Sequence, residues 1–483
     1  MPGGGDDVTI NAAGTYTINA NLPGGLYSVS TLDFDAPSAI ISITQPFTVL
    51  HGATLASGSI DGPSNFATDG VTLIPSGASL TLGGGLHWFV SNGSSASLSA
   101  AINIGDLAGA TATIVDNGTF DLLTDAAGIA LNPSGMATFQ NGGTLEKTGG
   151  TGISRIFANV TNKGTVSVTT GTLEFDGPSN TLAGTISGVG TVAFAAGTTQ
   201  LQVNPTVSNL LFDGATVTFI PTLSYSGNFV ETAGKLTLSG TTPTISGTFT
   251  LAGGALNFGA GATLTLHTTT DFAGGTVTGG TVAMNGNTAV TGTTLIQAAL
   301  TNTGTIAADA GTLDLAGAVS GSGQMTISTG ATLELGQASA ATQKVTFTDT
   351  TGTLQLDQPG LFKRPIFGFQ RGDTIDAIGV TANSAVYSGG NLTLRNGATT
   401  VLQLTVSTPY ASPVFNVASD QHGVTLVTVF QPPLRIAPSD FNNDGDSDLL
   451  WQNSSGQGAI WELNGANVVV SGLLGNPGPS WHI

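Results

Sequence analysis

The richest chemistry in this chain lies near its C-terminus, in the run Asp440-Phe441-Asn442-Asn443-Asp444-Gly445-Asp446-Ser447-Asp448. Asp440, Asn442, Asp444 and Asp448 place side-chain oxygens at loop positions 1, 3, 5 and 9. The Asp446 carbonyl is available at position 7, and Gly445 permits a sharp bend at position 6. A hard cation taking six to eight oxygens suits this spacing, so the run predicts one bound Ca²⁺, whereas Mg²⁺ demands a stricter octahedron. It is not an EF-hand, because no bidentate Glu closes the loop.

Elsewhere the candidates are sparser. Glu174 and Asp176 share one strand face, as do Asp33 and Asp35, and paired carboxylates are the machinery of glycoside hydrolysis. Such pairs are also ordinary on a solvated strand, and both are expected to face water. Polysaccharide lyases need a cationic base or clamp, yet the first Lys or Arg is Lys147. Lys147, Arg155 and Lys163 form the one close basic trio, which reads as solubilising. The histidines (His51, His87, His267, His422, His482) are scattered, without HExxH spacing, and neither a Walker loop nor a G-x-S-x-G elbow occurs. Thr-x-Thr pairs do not recur at a fixed place in every repeat, as an ice-binding face would need. The expectation is a protein without a catalytic centre; the rival reading is a polysaccharide-active lyase or hydrolase.

The elements that must carry these residues are strands. Asn162-Lys163-Gly164-Thr165-Val166, continuing to Gly171-Thr172-Leu173-Glu174-Phe175, superposes without a gap on Asn302-Thr303-Gly304-Thr305-Ile306, continuing to Gly311-Thr312-Leu313-Asp314-Leu315. Gly330-Ala331-Thr332-Leu333-Glu334-Leu335 is a third form. Alternation with period two puts the leucines inside and the polar residues outside. A repeat of some twenty residues is too short for two helices and fits one coil of a stacked parallel β-solenoid. At roughly 20–24 residues per coil and about 4.8 Å per layer, the chain predicts a rod on the order of 90–100 Å long.

Composition narrows the function classes. The 29 acidic residues outnumber the 10 basic ones, so the cationic footprint that nucleic acids and anionic membranes require is missing. Charged residues are 8% and hydrophobic ones 40%, rich in Val, Ile, Leu and Thr, which favours folded β over disorder. Cysteine is absent, so thiol chemistry and disulfides are excluded. No apolar stretch is long enough to span a membrane as a helix, and the Met1-Pro2-Gly3-Gly4-Gly5-Asp6-Asp7 start has no signal-peptide h-region. We expect irregular N-terminal coils over 1–145, loosened by an insertion at 33–45, and regular coils over 146–345. A terminating segment over 346–430 should follow as a polar cap, because six of the ten basic residues lie between Lys344 and Arg435. Beyond the Gln431-Pro432-Pro433 linker comes a small module at 439–483.

The aspartate run, with Leu449-Leu450-Trp451-Gln452 and Ala459-Ile460-Trp461, resembles the FG-GAP or VCBS repeat of bacterial exported proteins, whose aspartate loop binds calcium between the strands of a propeller blade. Asn141-Gly142-Gly143-Thr144-Leu145-Glu146-Lys147 followed by Asn162-Lys163-Gly164-Thr165-Val166 resembles the β-strand repeats of proteobacterial surface proteins of adhesin or autotransporter-passenger type. The Phe369-Gln370-Arg371-Gly372-Asp373-Thr374-Ile375-Asp376 run resembles the segment closing such arrays. A C-terminal membrane barrel and Gly-Gly-x-Gly-x-Asp nonapeptides are both missing, unlike in complete autotransporters. The resemblances imply a secreted or cell-surface bacterial stalk with Ca²⁺ in its tail. Its partners would be a cell-surface glycan, a host or matrix receptor, or further copies of itself.

Overall fold

The structure is a computed structural model that describes residues 3–20, 27–105, 111–131, 135–337, 343–407, 414–419, 425–430, 439, 441, 447–464 and 467–480. Strands take 60% of the chain and helix 1%. They wind as a parallel β-solenoid of about 18 turns, a stack on the order of 85 Å at about 4.8 Å per layer.

Each coil has three faces. Asn65–Thr68, His87–Val90, Thr111–Asp116 and Met136–Asn141 stack as face A; Val71–Ile74, Ser95–Leu98, Thr119–Leu122 and Thr144–Lys147 as face B; Ser79–Gly83, Ala101–Ile104 and Gly128–Leu131 as face C. All of these pairings are parallel, so every strand hydrogen-bonds to the coil before and the coil after. Four-residue strands with strict alternation put two side chains inside per face. The expected inward residues Leu173, Phe175, Leu264, Leu266, Leu313, Leu315, Leu333 and Leu335 are all buried.

Corner chemistry explains the recurrent Asn-x-Gly-Thr. Asn302 Oδ1 accepts from the Gly304 N–H at 3.0 Å, and Asp116 does the same for Gly118. These are side-chain turns that redirect the backbone. Asn141 Nδ2 donates to Asn162 Oδ1 on the next coil at 2.7 Å, so the polar corner residues link successive coils inside the stack. The glycine is required by stacking: a Cβ on Gly164 would lie 2.1 Å from the Gly143 carbonyl oxygen, and one on Gly143 equally close to that of Gly118.

Aromatic side chains run up the interior. Phe175, Phe194, Phe212, Phe229, Phe249 and Phe272 form a continuous column with centroid separations of 4.8–5.7 Å. Contacts of this kind contribute about 0.5–1.5 kcal/mol each beyond the area they bury.

The expected insertion lies inside a strand: residues 36–39 stand against the single residue Gly58, between the Asp35–Ser57 and Ile40–Ser59 pairs. Tyr27–Ile43 and Phe47–Asp61 are long strands paired in parallel, and Phe47–Asp61 bends at bulges to serve all three faces. The first coils therefore carry parallel ladders interrupted at three register shifts. Arg364, expected within a polar cap, is instead fully buried. Its Nη1 donates to Gln343 Oε1 at 3.1 Å, and its Nη2 lies 3.4 Å from the Val319 carbonyl.

Parallel stacking continues through Thr353–Leu356 to Thr374–Ala377. There Thr425–Phe430 pairs antiparallel and ends the ladder. Ser384–Ser388, Asn391–Asn396 and Thr399–Ser407 form an antiparallel meander, and the last of them returns to pair with Pro365–Phe367. Such a reversal seals an edge that would otherwise template further pairing. Near the C-terminus, Leu449–Gln452, Gly458–Asn464 and Asn467–Leu473 make a separate three-stranded antiparallel sheet.

Candidate functional site

Of the five predicted calcium ligands, Asp440, Asn442, Asp444 and Asp446 lie outside the described residues. Asp448 is buried at the base of the run. Its Oδ2 accepts from the Phe441 N–H at 2.7 Å and its Oδ1 from the Leu463 N–H at 2.9 Å, while its own N–H donates to the Ser439 carbonyl. These bonds draw the two ends of the run together and tie them to the sheet. The oxygen donors that the sequence offers in this run are of the type a hard cation takes. Among the described residues, no cluster of three or more His, Asp or Glu is placed to hold a metal ion.

The paired carboxylates behave differently from expectation. Glu174 and Asp176 do not simply face water, because both side chains are only 6% exposed. Ile153–Ile156 stacks in register with Thr172–Phe175 and sets Arg155 opposite Glu174. Arg155 Nη1 lies 2.5 Å from Glu174 Oε1 and 3.2 Å from Asp176 Oδ2. Burial, followed by the hydrogen bond and charge of Asp176, pushes the Glu174 carboxyl up to about 7, against the pull of Arg155. The pair thus shares one cation from the neighbouring coil. Asp33 and Asp35 are exposed, as expected, with Asp35 Oδ1 accepting from Ser57 Oγ at 2.6 Å.

Lys147 overturns its solubilising role. It is fully buried, with Nζ 3.0 Å from Asp125 Oδ1, 2.8 Å from the Gly149 carbonyl and 3.0 Å from Ser154 Oγ. It ties neighbouring coils together from within. Lys163 is exposed.

Three further acidic features emerge only from stacking. Asp314, Glu334, Gln355 and Asp376 form one outward column. Burial and the charges of Asp314, Asp357 and Asp376 raise Glu334 to about 7. The signal was present as the fourth position of successive Gly-Thr-Leu-Asp-type motifs, but the vertical alignment was not. Asp116 and Glu231 are inside the stack and fully buried, raised by burial to about 7 and about 8.

An outer groove of about 740 Å³ lies on face A of the early coils. Thr48, Ala67 and Phe89 occupy one outward column, each paired to the next. Small side chains at Thr48 and Ala67 leave a hollow beside the Phe89 ring. Asn65, Ser91, Asn92, Asn117 and Gly142 complete the rim, and no charged side chain lines it. The Asn-Gly pairs at 92–93, 117–118 and 141–142 supply the rim residues Asn92, Asn117 and Gly142. His87 stands two residues before Phe89 on the same strand, its ring 6.4 Å away and inclined by 18°. Trp88 between them points inward and donates from Nε1 to Thr68 Oγ1 at 3.1 Å, anchoring the strand.

Among the described residues no helix is long and apolar enough to cross a membrane. No protein-family model, curated protein or solved structure matches the chain. What the molecule can be assigned to is therefore its fold: a β-solenoid repeat protein, nearly all β, with parallel stacked coils.

Proposed function

We propose that this chain is an extracellular structural protein of bacteria, a stalk or adhesin-like rod at the cell surface or in a matrix. Its tail, resembling an FG-GAP or VCBS repeat, would be stabilised by calcium. The observation that carries this reading is the outer surface. From Asn65 to Ala377 the described outward strand positions are dominated by Thr, Ser, Asn and Ala, coil after coil. The Thr119, Thr144, Thr165 and Thr185 column is one example. A polysaccharide-degrading enzyme calls for an aromatic groove with clustered carboxylates. The groove on face A has no acidic residue in its lining, and the Glu174–Asp176 pair is pinned by Arg155 within an outward face. Both observations favour the stalk. Calcium would be held by Asp440, Asn442, Asp444 and Asp448 with the Asp446 carbonyl, neutralising carboxylates that otherwise repel one another.

The test is labelling of intact native cells with an antibody raised against the folded solenoid. Signal on unpermeabilised cells or in their matrix supports the reading. Signal that appears only after permeabilisation overturns it.

A further inference from the structure

We infer that the groove on face A is a binding site for a neutral oligosaccharide, with Phe89 as its stacking platform. The inference rests on the surface-protein reading for its setting, since glycans are met outside the cell, but not for its chemistry.

Four observations lead to it. The first is placement of aromatic surface. Among the described outward strand positions between Asn65 and Ala377, aromatic rings occur only at His87, Phe89 and Phe367. Phe367 already lies under the Lys344 ammonium, 5.6 Å from its centroid. The two rings at 87 and 89 therefore interrupt an otherwise small, polar surface, and Phe89 does so in the lining of the groove. The Phe89 ring, in the groove lining and stacked against His87, offers an apolar surface of the kind that the C–H face of a pyranose covers well.

The second is the polar rim. The side chains of Thr48, Asn65, Ser91, Asn92 and Asn117 make no hydrogen bond within the described structure. Hydroxyls and amides both donate and accept, so they match the mixed donor and acceptor character of sugar hydroxyls. A pocket of this size with an apolar floor and a few convergent polar groups is of the kind that takes small molecules.

The third is charge. No cation lines the groove, and the whole chain carries −19. A uronate or sulfated polymer would meet only repulsion there. The ligand class is neutral.

The fourth is what the floor lacks. Asn65–Thr68 and His87–Val90 are paired in parallel on both sides. No backbone edge is free to take an extended peptide by strand addition. Recognition must run through side chains, which favours a polyhydroxylated ligand over a polypeptide.

The experiment uses the full chain and isothermal titration calorimetry with four neutral hexaoses (maltohexaose, cellohexaose, xylohexaose and mannohexaose) and with oligogalacturonate as the anionic probe. At least one neutral hexaose should bind, and oligogalacturonate should not. Phe89→Ala should weaken that binding by about tenfold or more, equivalent to roughly 1.4 kcal/mol. Ala67→Gln, which fills the hollow from an outward position, should weaken it independently of any change at Phe89. Phe367→Ala should leave it unchanged. Absence of binding by every neutral hexaose at millimolar concentration overturns the inference. So does binding that survives both Phe89→Ala and Ala67→Gln, or a preference for oligogalacturonate. Cell labelling separates the two readings: surface exposure without binding removes the groove, and binding without surface exposure removes the stalk.

Discussion

Glu231 should make this solenoid less stable at pH 8 than at pH 5. The residue sits in an inward column between Phe212 and Leu251 and is fully buried. Neither carboxylate oxygen has a hydrogen-bond partner of good geometry, although the Ala255 N–H lies close enough to favour the anion slightly. Burial dominates and raises the carboxyl from 4.5 to about 8. A raised folded-state pKa contributes stability that is complete below the unfolded value. It is lost as pH climbs through the window from about 4.5 to about 8, because only the unfolded chain ionises there. At about 1.4 kcal/mol per pH unit, the full window is worth on the order of 5 kcal/mol as an upper limit. Glu231→Gln removes the titration. At pH 8 the variant should exceed the parent in stability by a large part of that amount, and near pH 4 the two should be similar. Solenoids unfold by neighbouring coils rather than strictly in one step, so hydrogen exchange over residues 209–258 is the suitable readout, taken at pH 5 and 8 with intrinsic rates corrected. Asp116, Glu174 and Glu334 titrate in an overlapping range, and the comparison with Glu231→Gln isolates one group from the rest. Parent protection that is flat or rises between pH 5 and 8, or a slope unchanged in the variant, would refute the reasoning.

Leu315→Asp, at a position 1% exposed in the column with Ile296, Leu335 and Leu356, should bury an unpaired charge and cost several kcal/mol, about 3–5; a denaturation midpoint within error of the parent's would contradict the inward assignment. Millimolar Ca²⁺ should protect residues 447–451 against exchange by mass action and leave the coils before Ala377 unaffected, whereas identical exchange with chelator and with calcium would remove the ion from the account. Glu174→Gln/Asp176→Asn should leave the protein inert toward pectin and alginate, as the parent is expected to be. Depolymerisation by the parent that the double variant abolishes would restore the enzyme reading.

A large share of the architecture was readable in the chain before any coordinates. Alternation places Leu313 and Leu315 inside whatever lies above them, because a strand's period of two is a local property. The Gly-Thr corners declare a repeat, and a stack of repeats is governed by nearest-neighbour contacts. What the chain could not declare was vertical neighbourhood. Thr172 lies beside Thr191, nineteen residues on, but Thr119 lies beside Thr144, twenty-five residues on. Coil length varies, so the partner across each ladder follows from stacking and not from spacing. That is why Arg155 over Glu174, the Asp314–Glu334–Asp376 column and the step from Ala67 to Phe89 that opens the groove were invisible. The same holds for Lys147 and Arg364, whose charge suggested surface until the coils closed around them. Sequence decides which side of a strand a residue takes; only the stacked coils decide what it meets there, because that contact is made between segments some twenty residues apart whose offset no local pattern records.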